Sequence, residues 1–263
     1  MNILVCIKQV PDDSIEVTAK DNKPNLSEIG KVVNAFDTYA LEMAARFKEA
    51  NDGEITVLSI GDKSTEKSLK NCLAVGGNRA ILINDEELKE SDTLGTSYIL
   101  ANGIKKIEEE NGEKFDIIFC GKESTDTACG QVGAQISEIL GRGFVTDIID
   151  ISMKDSIFSF NQETEDGYNV VETNCPCVVT VTKPNYDPRY PTIKNKMKAR
   201  RMPIDSLKIP NLDNEKVGRE GACVKVINFY EPPKKEAGIK IQEEKCEDST
   251  LKAIQIMAEA KVF

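Results

Sequence analysis

The chain contains no histidine. The commonest acid–base residue and the commonest transition-metal ligand are therefore missing. Ser-His-Asp and Cys-His catalysis are excluded together. Any chemistry must come from carboxylates, lysine, tyrosine, cysteine or a bound cofactor. Long hydrophobic runs are absent as well. ILVCI at 3–7 and DIIFC at 116–120 fall far short of the ~20 apolar residues of a membrane span, so no membrane insertion is expected. The opening MNILVCIKQV has no basic n-region and reads straight into a strand, which predicts no signal peptide. Positive charge is scarce: 34 Lys and Arg stand against 44 Asp and Glu, a net charge of −10. Nucleic-acid binding rests on phosphate neutralisation, so this balance argues against it. No CxxC pair occurs. The eight cysteines, Cys6, Cys72, Cys120, Cys129, Cys175, Cys177, Cys223 and Cys246, lie mostly in apolar runs. They read as buried reduced thiols of a cytoplasmic protein. Cys175 and Cys177 form one close pair, which alone cannot complete a zinc site, so no metal centre is expected.

What is present is periodic. Apolar residues make up 40% of the 263 and charged residues 30%, an ordinary globular balance. Continuous apolar runs at 2–7, 54–60, 80–84 and 115–120 read as buried strands. Helical patterns follow them. One starts at Asp37, read as its N-cap, with Phe36, Ala40, Ala44 and Phe47 as its stripe. Others cover 63–74, closed by Gly76-Gly77, then 92–109 and 128–140. Residues 15–33 read as an irregular excursion with a short hairpin around Lys20-Asp21-Asn22. Four strand–helix alternations predict a Rossmann-like α/β fold, a parallel sheet with helices on both faces. Ligands of such sheets bind beyond the carboxyl ends of the strands.

After residue 143 the pattern changes. FVTDIIDIS, SIFSFNQE, YNVVETN and CVVTVTK read as strands of an antiparallel extension, with Asp166-Gly167 as a hairpin turn. PNYDPRYPT and the basic KNKMKARR helix come next. Residues 203–247, with Pro203, Pro210, Pro232 and Pro233, carry little regular structure for so long a stretch. An arm laid over a partner subunit is the favoured reading, a self-packed tail the other. The expected division is an α/β domain at 1–202 and an extended arm with a terminal amphipathic helix at 203–263.

The loop CGKESTDTACGQVG at 120–133 follows the fourth strand. It has small residues, the hydroxyls of Ser124, Thr125 and Thr127, and a helix start at Ala128. Exposed N–H groups and the helix dipole at such a start favour an anion. A diphosphate cradle built from backbone is one reading; a helix capped by Asp126 or Thr127 is the plainer one. Neither GxxxxGK[ST] nor GxGxxG occurs. An ATP-binding α/β enzyme would carry a glycine-rich loop after the first strand, where KQVPDD stands. Backbone at Cys6 is placed to flank an adenine. The Asn34 amide either reads a base or ribose or serves as a turn residue before the helix. KNKMKARR carries five basic residues in eight and is either a solvated face or a dock for an acidic partner.

VCIKQVPD, VNAFDTYALE, GKESTDTACGQVGAQ and NYDPRYPTIKNKMKAR, in this order and spacing, resemble the small (beta) subunit of the electron-transfer flavoproteins. The resemblance implies a heterodimer with an alpha subunit and a C-terminal arm on that partner. It implies either structural AMP or a second FAD in this chain. In the FAD kind, NADH gives a hydride to that flavin and the electrons bifurcate. One goes to ferredoxin or flavodoxin, the other through the alpha-subunit FAD to a partner dehydrogenase. Asn34-Ala35-Phe36 and Gly130-Gln131-Val132 depart from the AMP kind and resemble the bifurcating one. The implied nucleotide contacts are Cys6, Asn34, Ser59, Ile60, Gly61, Gly121, Asp126, Thr127, Cys129, Gly130, Gln131 and Val132. Arg189, Tyr190 and Ile193 match the partner-recognition loop. No residue is expected to act as a catalytic acid or base; the flavin carries the reaction.

Overall fold

The computed structural model describes residues 1–20, 23–231 and 237–262. Nine strands form the main sheet: β1 (Asn2–Cys6), β2 (Glu54–Ile60), β3 (Arg79–Ile83), β4 (Ile117–Gly121), β5 (Gly143–Lys154), β6 (Ile157–Thr164), β7 (Gly167–Asn174), β8 (Cys177–Val181) and β9 (Asp205–Leu207). Their order across the sheet is β7-β6-β5-β8-β4-β1-β2-β3-β9. β1 pairs in parallel with both β2 and β4. The chain thus winds outward on one side of β1 and returns to its other side, which makes the β1/β4 boundary the topological switch point.

Side chains of β1 alternate between two cores, as the period of two requires. Ile3 and Val5 face α1 (Ala35–Asn51) and α2 (Glu66–Val75). Leu4 and Cys6 face α3 (Thr93–Asn111) and α4 (Val132–Leu140). Helices therefore cover both faces, as the alternation predicted. Gly112 and Gly141, both left-handed, end α3 and α4. The hairpins β5–β6 and β6–β7 form the antiparallel extension.

Three expectations are corrected. CVVTVTK does not join the antiparallel ribbon: β8 inserts between β4 and β5 and runs parallel to both. Its five residues are all buried, and burial on both faces suits a central parallel strand. The helix expected from residue 128 starts at Val132, because Ala128 (φ 49°) and Gly130 (φ 63°) lie in the left-handed region. Asp37 does not cap α1; Asn34 occupies that position, and Asp37 lies within the helix. The cysteines also divide: Cys6, Cys72, Cys120 and Cys177 are buried, whereas Cys129, Cys223 and Cys246 are exposed.

In the excursion before α1, Gln9–Pro11 pairs with Lys31–Val33, and Ala19–Lys20 with Lys23–Pro24. Asp21, Asn22, Pro232 and Pro233 lie outside the described residues. α5 (Ile193–Arg201) packs against α2, and its Ala199 is buried. Beyond residue 202 the chain still meets the sheet. β9 extends the sheet beside β3, Leu207 and Val217 are buried, and the Gly218 N–H donates to Ser91 Oγ at 2.7 Å. Residues 222–245 form no regular element among those described, and α6 (Cys246–Glu259) has no buried residue.

Candidate functional site

The loops after β1 and β4 meet beside the start of α1. The peptide N–H of Lys8 donates to Asp37 Oδ2 at 2.6 Å, and that of Gly121 donates to Asp37 Oδ1 at 3.1 Å. One buried carboxylate therefore bridges the ends of the two strands at the switch point. Asn34, 1% exposed, adds a second bridge. Its Nδ2 donates to the Glu123 carbonyl at 2.8 Å, and its Oδ1 accepts from the Thr125 N–H at 3.0 Å. Its own N–H donates to the Lys8 carbonyl at 2.9 Å. Both ends of this side-chain amide are engaged by the loop after β4. Asn34 holds the loop.

Gly121 must be glycine here. A Cβ would lie 2.3 Å from Asp37 Oδ1 and 2.9 Å from backbone atoms of Phe36 and Asp37. Asp37 is 6% exposed. Burial pushes its carboxyl from 3.8 up to about 7, against the pull of the Lys8 amide, the neighbouring Asn34 amide and the Gly121 amide.

Beyond Gly121 the loop folds on itself. The N–H groups of Thr127 and Ala128 both donate to the Ser124 carbonyl, and Ser124 Oγ lies 2.7 Å from Thr127 Oγ1. The Lys8 ammonium reaches across, 2.7 Å from Asp126 Oδ1 and 3.3 Å from Ser124 Oγ. Further on, the N–H groups of residues 129–134 have no acceptor among the described residues. Successive free amides around left-handed residues form a concavity that suits an anion, and here they run directly into the first turn of α4. Gln131 is fixed by Thr93, whose hydroxyl donates to Gln131 Oε1 at 2.7 Å. Asp92 caps α3 by accepting from the Gly95 N–H.

The remaining candidates take varied positions. Ser59 is buried, and its hydroxyl donates to the Ile7 carbonyl at 2.9 Å, fixing the end of β1. Ile60 ends β2, and the Gly61 N–H donates to the Ile83 carbonyl. Cys6 ends β1 with its thiol buried beside Cys120, and that hydrogen-bonded contact, with burial, holds the Cys120 thiol well above its ordinary range. Asp126, Thr127, Cys129, Gly130 and Gln131 are exposed. Lys8 and the bridging role of Asp37 escaped the sequence reading. The signal for Lys8 was its position directly after the first strand; that for Asp37 was hidden, since an acid near a helix start reads as a cap.

The second surface lies on the other side of α1. Arg189 turns inward. Its Nε donates to Glu42 Oε2 at 2.8 Å, its Nη2 donates to Glu42 Oε1 at 3.2 Å, and it also pairs with Glu49. Arg46 Nε donates to Glu42 Oε1 at 2.6 Å and stacks on Tyr186. Burial raises the Glu42 carboxyl, but the two guanidinium groups outweigh it and hold it below the carboxylate range. Arg189 thus pins the loop, while Tyr190 (95% exposed) and Ile193 (80%) project from it. Ile193 and Met197 line an apolar groove with Met202 and Pro203, rimmed by Lys194, Lys198 and Arg201.

A doubly covered parallel sheet whose strand-end loops meet at its switch point is the architecture of nucleotide-binding α/β proteins. The electron transfer flavoprotein domain matches residues 26–212. The electron transfer flavoprotein subunit beta of Megasphaera elsdenii is 39% identical over 260 residues, covering 97% of this chain and 95% of that one. The caffeyl-CoA reductase-Etf complex subunit CarD of Acetobacterium woodii is 34% identical, with 90% of each chain covered. The acryloyl-CoA reductase electron transfer subunit gamma of Anaerotignum propionicum is 32% identical, covering 97% and 98%. The chain belongs to the electron transfer flavoprotein family, as a beta subunit. No described helix is long and apolar enough to cross a membrane.

Proposed function

We propose that the crevice between the β1 and β4 loops holds FAD and that the chain acts as the beta subunit of an electron-bifurcating flavoprotein. The observation that carries the nucleotide reading is the run of free peptide N–H groups at residues 129–134, at the switch point of the sheet. These amides, with the Lys8 ammonium nearby, fit a pyrophosphate. At Gly130 a Cβ would have only the Lys122 carbonyl near it, at 3.7 Å, so the loop is open on that side for a ligand that continues past its phosphate. The departures at Asn34-Ala35-Phe36 and Gly130-Gln131-Val132 favour FAD over AMP.

In this reading the chain binds, orients and desolvates; it moves no proton. The absence of histidine agrees with that division of labour. Bound FAD would supply the redox chemistry, hydride acceptance from NADH and electron delivery to ferredoxin or flavodoxin and, through the alpha-subunit FAD, to a flavin-dependent dehydrogenase. Lys8 and the 129–134 amides would hold the phosphates. Asn34 and Asp37 would hold the loops. The names of the two reductase-associated relatives support a place beside a dehydrogenase. Tyr190 and Ile193 would meet that dehydrogenase, and residues 222–262 would lie on the alpha subunit.

The test is a nucleotide count. The heterodimer, co-expressed and purified without added nucleotide, is denatured and its released flavin and AMP are quantified. Two flavins per heterodimer are expected. One flavin with one AMP overturns the FAD reading and leaves the simple shuttle.

A further inference from the structure

The crevice is assembled by side chains that do not line it. Asp37 accepts from the backbone of both loops, Lys8 on one side and Gly121 on the other. Both accepted bonds come from N–H donors, so the ionised carboxylate, a full acceptor at each oxygen, satisfies them best. Asp37 sits inside α1, which packs on the sheet through Ala40, Ala44 and Phe47 and gives the carboxylate a fixed base. Asn34, one turn earlier, secures the far part of the second loop. The Ser59 hydroxyl braces Ile7 from below.

Resting on the nucleotide reading above, we infer that Asp37 is a positioning residue for the nucleotide, a clasp that holds the two crevice loops together while ionised and lets them part when it takes up a proton. Protonation puts a hydrogen on one of the two oxygens, which leaves that oxygen a much weaker acceptor of its N–H while Asp37 stays buried in α1, so one of the two bonds weakens and the β1 and β4 loops loosen. The titratable and charged groups that face Asp37 are the Lys8 ammonium from the β1 loop, the Cys120 thiol from β4 and the Cys72 thiol from α2. Burial, chiefly, pushes the Cys72 thiol up to about 12, and Cys120 also lies well above its ordinary range, so both stay neutral. Lys8 is the one charged neighbour of these, and its ammonium is engaged by Asp126. The carboxyl, lifted to about 7, therefore changes state close to neutral pH.

The experiment follows release of the beta-subunit nucleotide from the intact heterodimer by rapid gel filtration at pH 8, 7 and 6. Wild type is expected to release it several-fold faster at pH 6 than at pH 8. Asp37→Asn is expected to release it several-fold faster than wild type at pH 8, at a rate that does not change between pH 8 and 6. The pH series on wild type stands by itself should the variant fail to fold. Heterodimer that arrives without nucleotide in this subunit overturns the crevice reading and the clasp with it. Heterodimer that holds nucleotide but releases it at one rate at every pH overturns the clasp alone. So does an Asp37→Asn protein with a wild-type pH profile.

Discussion

The body of the protein and its tail solve opposite problems with the same chemistry. In the body, most buried polar groups are matched: Glu42 by two guanidinium groups, Glu108 by Arg142 Nη2 at 2.6 and 2.7 Å, Asp37 and Asn34 by groups of the loops; Asp147 Oδ1 is buried without a hydrogen bond among the described residues. In residues 222–262 the apolar groups are the unmatched ones. Val224, Val226, Ile227, Tyr230 and Ile239 are exposed, Ile227 at 95%, and α6 presents Leu251, Ile254 and Met257 to solvent. A monomer rarely leaves so long an apolar segment uncovered. In the proposed reading the tail is the surface that the alpha subunit covers.

Perturbing the body should therefore show in its melting, and perturbing the tail only in assembly. The largest effect belongs to Glu42→Gln, which leaves Arg46 and Arg189 facing a neutral group in a buried place. A loss of about 3 kcal/mol is expected in urea unfolding, with release of the 186–192 loop read by proteolysis. An unfolding midpoint unchanged from wild type would place that network outside the body's stability.

Next comes pH. The folded protein binds the Asp37 proton more tightly than the unfolded chain, since burial lifts the carboxyl from 3.8 to about 7. The burial penalty is present in full above pH 7 and is relieved as pH falls. Relative to Asp37→Asn, wild type should gain roughly 2–3 kcal/mol of global stability from pH 8 to pH 5. The gain runs opposite to the loosening of the crevice, which separates the two readouts. Parallel unfolding curves for both proteins at both pH values would contradict it.

Gly130→Val forces a β-branched residue into a left-handed backbone, at a cost of about 1–2 kcal/mol, and projects methyl groups over the free amides. Nucleotide content should fall while the body still melts cooperatively; full occupancy would remove the cradle from consideration. In the tail, Ile227→Asp should weaken heterodimer formation by about ten- to a hundredfold, measured by titration of the alpha subunit. The body's own stability should move by no more than about 0.5 kcal/mol. The smallest effect is Ile193→Ala: stability and flavin content unchanged, electron delivery to the dehydrogenase slowed. Equal rates would dismiss the exposed loop tip from that role.

Much of this was legible in the residues. NILVC, EITVLSI and IIFCG are buried strands because continuous apolar runs fit a sheet covered on both faces. The loop after β4 stood out by its small residues and hydroxyls, and folding sets it at the switch point of the sheet. Other features were not readable. Val178 and Val179 read equally well in a ribbon or in a central parallel strand, since both bury apolar side chains. Arg189 read as free for a partner until folding brought Glu42 and Glu49, far away in the chain, beside it. Asp37 and Asn34 looked like local helix-start chemistry, yet their side-chain partners are Lys8, 29 residues before Asp37, and Gly121, Glu123 and Thr125, 84 to 91 residues on.

The sequence by itself determined the alternation of strand and helix, the lack of any proton-transfer histidine and the family. These follow from periodicity, composition and motif order, which are properties of neighbours along the chain. The tertiary structure alone decided that an aspartate and an asparagine at the start of α1 tie the β1 and β4 loops together, that Lys8 pairs with Asp126 of the second loop, and that the amides of residues 129–134 have no acceptor among the described residues. A hydrogen-bond partner is set by where distant segments meet, and no local pattern carries that information.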